Sequence, residues 1–275
     1  MNQAPTSTDS VSGFLTRRII GFFMFALVAL VFLQVNVYGQ EAVNEKSFLL
    51  LPYHPDFYLS DAERDISRQS GRDPDEFRTY FRQTLDRNLH EELDKAGRCV
   101  SLLQDTTLRS IKILENFYNQ TAYNYHEPVG KRADVLTGKS EKRKREKAYD
   151  DLHTAPHSFA TRGDARYLRA EVKDTSLLPG LAGRFGADYI ISINQLEIKT
   201  NYNTCIDIAN KIYRREVIVH YSVFDSRGRE VAGNFEFSFF PSDSNKDTAI
   251  AERCFPEIAS AIAKHLSGIL EKSRN

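Results

Sequence analysis

Two histidines, His153 and His157, have the i,i+4 spacing of a metal-ligating pair on one face of a helix. Pro156 lies between them, and the surrounding segment lacks a periodic apolar stripe, so a regular helix is not expected there. The H-E-x-x-H motif of helical zinc sites does not occur in the chain. The sequence therefore predicts a mobile loop at this pair and no metal site.

Nucleophilic catalysis has no local signature in this sequence. A Gly-x-Ser-x-Gly elbow does not occur. Cys99 begins a predicted buried strand, where cysteine mostly acts as a small hydrophobic residue. The seven histidines and the many carboxylates could still meet in space. A hydrolase with a dispersed site therefore stays open as the alternative to a non-enzymatic protein.

Three glycines, Gly180, Gly183 and Gly186, have a spacing similar to that of a phosphate-binding loop. In such a loop the glycines follow a strand and open a helix. Here they lie within and at the end of a predicted helix, residues 177–185, which leads into a strand. We therefore expect helix packing and capping by these glycines, and no bound cofactor.

The three cysteines are Cys99, Cys205 and Cys254. Cys205 lies between the third and fourth predicted strands, and Cys254 lies early in the last predicted helix. Both should lie at one end of the sheet, because the fifth strand returns to the level at which the fourth begins. The sequence therefore predicts a Cys205–Cys254 disulfide, with three unpaired thiols as the alternative.

A polar, aromatic loop follows the first predicted strand, and its residues are candidates for a protein-docking patch: His54, Asp56, Phe57 and Tyr58. Loops at strand ends of α/β folds often hold ligands and partners. Exposed aromatic rings are typical of protein interfaces. The alternative is that both rings fold back over the core.

Residues 1–39 have the pattern of an export leader. Arg17 and Arg18 precede an apolar run from Ile19 to Leu33, which is long enough for a signal-peptide core and short for a full membrane span. Small or neutral residues before Gln40 fit a signal-peptidase site. We expect either a cleaved signal peptide or an uncleaved anchor, and in both cases residues 40–275 outside the cytoplasm, in the periplasm or beyond.

The charges are balanced, with 37 basic and 37 acidic residues, so no global field favours nucleic acid. The basic cluster from Lys142 to Lys147 is mixed with acidic residues, which indicates a solvated segment. Contact with anionic lipid through this cluster, or through an uncleaved leader, stays open. We expect no nucleic-acid partner, and the sequence does not decide the oligomeric state.

Hydrophobic periodicity predicts an α/β domain. Residues 47–51 and 99–103 read as buried strands around a long helix that Asp73, Pro74 and Glu76 should cap. Asp105 should cap a second helix with Leu108, Ile111, Leu114 and Tyr118 on its apolar face. Residues 123–174 lose the periodicity and read as a charged, mobile insertion, with a brief edge strand at 167–172.

The second half adds three strands and a closing helix. The strands are expected at residues 187–198, 216–223 and 231–239, with a bulge before Leu196 and a hairpin loop around Gly228. The helix spans residues 250–270. The predicted fold is a single mixed sheet of about five strands with helices packed on it, in the order β-α-β-α, insertion, α-β-β-β-α.

This arrangement resembles small α/β domains of bacterial envelope proteins. The residues that carry the resemblance are Leu49-Leu50-Leu51-Pro52, the step Gly186-Ala187-Asp188-Tyr189 into a strand, and the hairpin from Asp225 to Gly228. Similar domains are the periplasmic domain of the curli secretion channel, the amino-terminal domain of the Tol-system propeller protein, and lipoprotein activators of penicillin-binding proteins. The chain also resembles uncharacterised secreted proteins of Bacteroidetes-type bacteria. It departs from these families because it has no lipobox cysteine and no propeller repeat.

The resemblance implies a non-enzymatic role in the envelope, by docking onto or assembling with another envelope protein. Two other classes stay open, a secreted hydrolase and a structural subunit of a secretion or adhesion complex. Converging histidine and carboxylate groups in a pocket would favour the enzyme, whereas an exposed aromatic patch or an unpaired sheet edge would favour docking.

Overall fold

The computed structural model describes residues 46–105, 107–129 and 166–272. The predicted leader, the pair His153 and His157, and the cluster from Lys142 to Lys147 lie outside the described residues. The described residues from Lys46 onward belong to one compact unit.

The main sheet has six strands: β1 (Lys46–Leu51), β2 (Tyr58–Ser60), β3 (Gly97–Ser101), β6 (Tyr189–Asp207), β7 (Ile212–Asp225) and β8 (Glu230–Pro241). Their order is β3-β1-β6-β7-β8, and the short β2 also pairs with β6. The pairs among β1, β2, β3 and β6 are parallel, and those of β6 with β7 and β7 with β8 are antiparallel. The predicted mixed α/β fold is confirmed.

A second, two-stranded sheet consists of β4 (Thr121–His126) and β5 (Tyr167–Val172), which pair antiparallel. Just after β4, Val129 and Gly233 of the main sheet exchange backbone hydrogen bonds of 2.7 and 3.1 Å. The predicted edge strand at 167–172 is therefore half of a separate hairpin, which we call the β4–β5 hairpin.

Five helices lie among the described residues: α1 (Glu63–Ser70), α2 (Pro74–Asp94), α3 (Leu108–Asn119), α4 (Leu177–Phe185) and α5 (Asp247–Lys272). In the described part of the chain, no helix is long and apolar enough to cross a membrane. Helices α2 and α5 pack on one face of the main sheet, whereas α3 and α4 contribute to the core on the opposite face. The result is a three-layer arrangement.

Local sequence signals explain where several of these elements begin and end. The Asp73 carboxylate accepts a 2.9 Å hydrogen bond from the Glu76 backbone N–H, and Glu76 returns one to the Asp73 N–H, so the predicted capping box is present. Gly186 ends α4 in the left-handed conformation, and Gly228 turns the β7–β8 hairpin at φ +76°. The glycines of α4 thus belong to a helix, as predicted.

Helix α3 differs from its prediction. Thr107, and not Asp105, caps it. The apolar residues that it buries are Leu114 and Phe117, while Leu108 is 78% exposed and Ile111 45% exposed. Periodicity alone assigned all the apolar positions to one face, but only those in the second half of the helix are buried.

The predicted Cys205–Cys254 disulfide is wrong for this structure, in which all three cysteines are free thiols. Cys205 lies at the level of Tyr213, near the start of β7, whereas Cys254 hydrogen-bonds with Ser238, which pairs with Val217. The levels of Tyr213 and Val217 are four residues apart along β7, or about 13 Å, which is well beyond the reach of a disulfide. Burial raises the pKa of the Cys254 thiol to about 12, whereas Cys205 is exposed.

Candidate functional site

The predicted docking loop forms a short 3-10 helix, Pro55–Phe57, directly after β1. The His54 ring packs edge-on against Tyr118 at 4.8 Å between centroids, and Phe57 packs on Tyr123 at 4.5 Å. His54 and Phe57 are half-buried, and Asp56 is exposed. Tyr58 begins β2 and is buried in the core. One ring therefore folds inward and the other stays at the surface.

Arg82 of α2 holds this loop in place. Its guanidinium donates to the Tyr53 carbonyl at 2.8 Å and to the Tyr118 hydroxyl at 2.9 Å. The Tyr118 hydroxyl in turn donates to the Pro52 carbonyl at 2.8 Å. These bonds tie the loop to two helices, so the loop residues are positioned before any partner arrives.

Four side chains form what we call the aromatic surface: Phe57, Leu59, Tyr123 and Tyr125. Leu59 is 48% exposed and Tyr125 is 49% exposed. Leu59 is in register with Glu197 of β6, and the Tyr125 hydroxyl donates to the Glu197 Oε1 atom at 3.1 Å. The loop, β2 and β4 thus present apolar groups around one point of the main sheet.

At that point of the main sheet lies a buried polar group, formed by Glu197 and His220. Glu197 and His220 are 2% and 4% exposed, and the His220 Nε2 atom lies 3.7 Å from Glu197 Oε1. Lys199 pairs with the other carboxylate oxygen of Glu197. Burial lowers the pKa of His220 to about 4, against the opposing effect of Glu197. Burial, together with Glu197, raises the pKa of Tyr125 to about 12.

The hydrogen bonds of His220 determine what the imidazole can do. The Leu168 backbone N–H donates to His220 Nδ1 at 3.0 Å, so the neutral ring carries its proton on Nε2. Neither nitrogen then offers a free lone pair to a nucleophile. Within the described residues, no serine, threonine or cysteine hydrogen-bonds with His220, and no group of three His, Cys, Asp or Glu side chains could hold a metal ion.

The polar side chains on this face of the sheet hold the β4–β5 hairpin. Asn194 donates to the Leu168 carbonyl at 2.7 Å, and the Ala170 backbone N–H donates to Ser222 Oγ at 3.2 Å. With the bond to His220, these contacts satisfy the backbone of β5 where it crosses the main sheet. We call these three side chains the polar clamp.

Sequence reasoning found the loop and the strand β5, but it missed β4, the pairing of β4 with β5, and the polar clamp. The available signal for β4 was the alternation of Thr121, Tyr123 and Tyr125. Polar residues, among them His220 and Ser222, alternate with apolar residues along β7, but such a pattern usually indicates a solvated face. Here that face is buried under the hairpin.

A second polar junction lies on the opposite face of the sheet and has a structural role. The buried Arg215 side chain bonds to Thr200 at 3.1 Å, to Asp65 at 2.6 Å and to Asn245. The hydrogen bond from Arg215 holds the pKa of Asp65 below its usual range. These bonds join α1, the β6–β7 pair and the start of α5, and they leave no group of the junction directed to a ligand.

No family model matches this chain, and no curated protein matches it. Among solved structures, the chain is similar to lipoprotein GNA1162 from Neisseria meningitidis. The identity is 11%, the alignment covers 81% of this chain and 99% of that chain, and the TM-score is 0.29. A TM-score this low does not establish a common fold, so the function is inferred from this protein's own residues.

Proposed function

We propose that the protein is an exported, non-enzymatic accessory of the cell envelope that docks onto another envelope protein through the aromatic surface. The predicted leader at residues 1–39 supports the export. The observation that carries the docking role is the exposure of Leu59 and Tyr125 next to half-buried aromatic rings that the structure already holds in place.

The composition of this surface fits a protein interface better than a small-molecule site. Aromatic anchors with a polar rim are typical of interface centres. Phe57, Tyr123 and Tyr125 supply the rings, while Asp56 and Lys199 supply charge at the margin. Since these groups project from a loop, two strands and the sheet, they form a broad patch, and a partner would cover it by its own apolar side chains.

The hydrolase alternative has one observation in its favour, the approach of His220 to Glu197. Its chemistry does not support catalysis, because the Leu168 N–H occupies the Nδ1 lone pair and the Nε2 atom carries the proton. A general base in this position would have to break a buried backbone hydrogen bond first. We therefore assign Glu197, Lys199 and His220 to the support of the aromatic surface.

Site-specific photo-crosslinking tests the docking role. A photoreactive amino acid replaces Leu59 in one variant and Leu108 in the control, which is more exposed but lies on α3, outside the aromatic surface. Irradiation of intact cells that naturally make the protein should give a discrete protein adduct from position 59 and none from position 108. Adducts from position 108 alone would overturn the assignment.

Affinity gives the second measurement. Once the crosslinked partner is identified, Tyr125→Ala should weaken its binding about 30-fold or more, because truncation of an aromatic anchor at an interface centre typically costs about 2 kcal/mol or more. Ile111→Ala removes a comparably exposed apolar group from α3. It should leave the affinity within about twofold.

A further inference from the structure

The β4–β5 hairpin is attached to the main sheet through a group that can take up a proton. Of the three polar-clamp side chains, Asn194 and Ser222 do not titrate, whereas His220 does. Its Nδ1 atom accepts the Leu168 N–H at 3.0 Å only while that nitrogen is unprotonated. One of the hydrogen bonds that attach β5 to the main sheet therefore depends on the protonation state of an imidazole.

The site of protonation follows from the geometry. The Nε2 atom, on the side of Glu197, already carries the proton of the neutral ring. A second proton must therefore go to Nδ1, where it would face the Leu168 N–H. Two donors would then point at each other inside the interface, and the backbone N–H of Leu168 would be left without an acceptor.

The groups around His220 do not compensate for the hydrogen bond that is lost when Nδ1 is protonated. Glu197 of β6 faces the Nε2 side at 3.7 Å and favours the protonated ring, but Lys199 pairs with that carboxylate and opposes it. Tyr125 of β4 lies edge-on at 6.1 Å, and Phe235 of β8 lies at 5.8 Å. Neither ring supplies an acceptor to a newly formed Nδ1–H.

We propose that protonation of His220 releases the β4–β5 hairpin from the main sheet, so that the hairpin is an acid-operated switch. Undocking lets water solvate the imidazolium and lets the Leu168 N–H find a new acceptor. Asn194 and Ser222 lose their bonds to β5 in the same step, because all three clamp contacts are to Leu168 and Ala170 of that one strand.

The magnitude follows from proton linkage. The pKa of His220 is about 4 with the hairpin docked, and close to the ordinary value of about 6.5 once the imidazole is solvated. Because the undocked state binds the extra proton more tightly, the docking equilibrium weakens by about 60-fold between pH 7.0 and pH 4.5.

The switch has a consequence for docking that rests on the proposed function. Tyr123 and Tyr125 belong to β4, so release of the hairpin removes both rings from the aromatic surface. Partner binding should then be lost in acid together with the hairpin contacts. The release itself is measured without any partner, so its failure and the failure of the docking role are distinguishable.

Hydrogen exchange read by mass spectrometry on the full chain tests the release. The His220→Asn variant keeps an acceptor for the Leu168 N–H but does not titrate, and comparison at equal pH cancels the intrinsic exchange rates. At pH 7.0 the peptides of β4 and β5 should be equally protected from exchange in the two proteins. At pH 4.5 the wild type should exchange there tens of times faster than the variant, with α2 protected in both.

Two outcomes would overturn the proposal. One is equal protection of β4 and β5 in the wild type and in His220→Asn at pH 4.5. The other is a loss of protection in α2 that parallels the loss in the hairpin, since that would mean global acid unfolding. If the variant does not fold, the wild-type pH series decides, through the ratio of hairpin exchange to α2 exchange and the imidazole titration followed by NMR.

Discussion

Gly233 of β8 lies where Tyr167 of β5 crosses the sheet, and the replacement Gly233→Ala is a sharp test of this packing. An added Cβ would overlap with the Tyr167 hydroxyl oxygen and with its Cζ atom. Tyr167 is fully buried, and its hydroxyl donates to Glu230 at 2.7 Å. Movement of the hydroxyl away from the added methyl would therefore strain or break this bond.

The expected cost is the sum of two effects. Overpacking a buried site by one methyl typically costs about 1–3 kcal/mol. Displacing the Tyr167 hydroxyl from a charged acceptor costs about 1.5–3 kcal/mol more. We expect Gly233→Ala to lower the free energy of unfolding by about 2.5–6 kcal/mol, measured by urea denaturation with the m-value checked for constancy.

A double-mutant cycle identifies the cause. In a Tyr167→Ala background the space above Gly233 is open, so Gly233→Ala should be neutral or should stabilise by up to about 1 kcal/mol through the unfolded state. Gly183→Ala is the matched control, because no heavy atom lies within 4 Å of its added Cβ and it belongs to a helix. It should stabilise by about 1 kcal/mol. Equal destabilisation by Gly233→Ala in both backgrounds would refute the reasoning.

Three further predictions concern the thiols, the α2 cap and acid stability. A maleimide should label Cys205 in the folded protein but Cys99 and Cys254 only after unfolding. If Cys205 and Cys254 stay unlabelled in unfolded, unreduced protein, the two form a disulfide after all. Asp73→Ala should cost about 1 kcal/mol in thermal or urea unfolding, and Asp75→Ala, whose carboxylate is exposed, less than half of that. The pKa of His220 is lower in the folded than in the unfolded state, so its contribution is complete above about pH 6.5 and is lost as the pH falls to about 4. The wild type should therefore lose about 3 kcal/mol relative to His220→Asn over that range, and parallel pH curves for the two proteins would contradict this.

Local sequence determined most of the scaffold. Helices α2 and α5 and the β6–β7–β8 meander were predictable, because each buries a regular apolar face whose period is read along the chain. The α2 cap and the β7–β8 turn were also predictable, because their determinants are local. Asp73 and Glu76 bond within one turn, and Gly228 supplies a backbone conformation that few other residues adopt.

The candidate site was decided by tertiary structure. The docking loop was identifiable from its aromatic residues, but its division into a buried Tyr58 and a surface Phe57 depends on the pairing of β2 with β6. His220 and Glu197 look like residues of a solvated strand face in sequence. They are buried because β5, more than 50 residues away from His220 along the chain, lies across them.

The difference between local and tertiary determinants also explains the wrong predictions for α3 and for the disulfide. Whether Leu108 and Ile111 are covered, and whether Cys205 reaches Cys254, depends on how far each element extends past its neighbours, which no local pattern encodes. The sequence determined which segments become helices and strands, because those preferences act over a few residues. Only the tertiary structure decided which polar groups meet, because their hydrogen-bond partners come from distant segments. Without those partners, burial of the polar groups would be unfavourable in free energy.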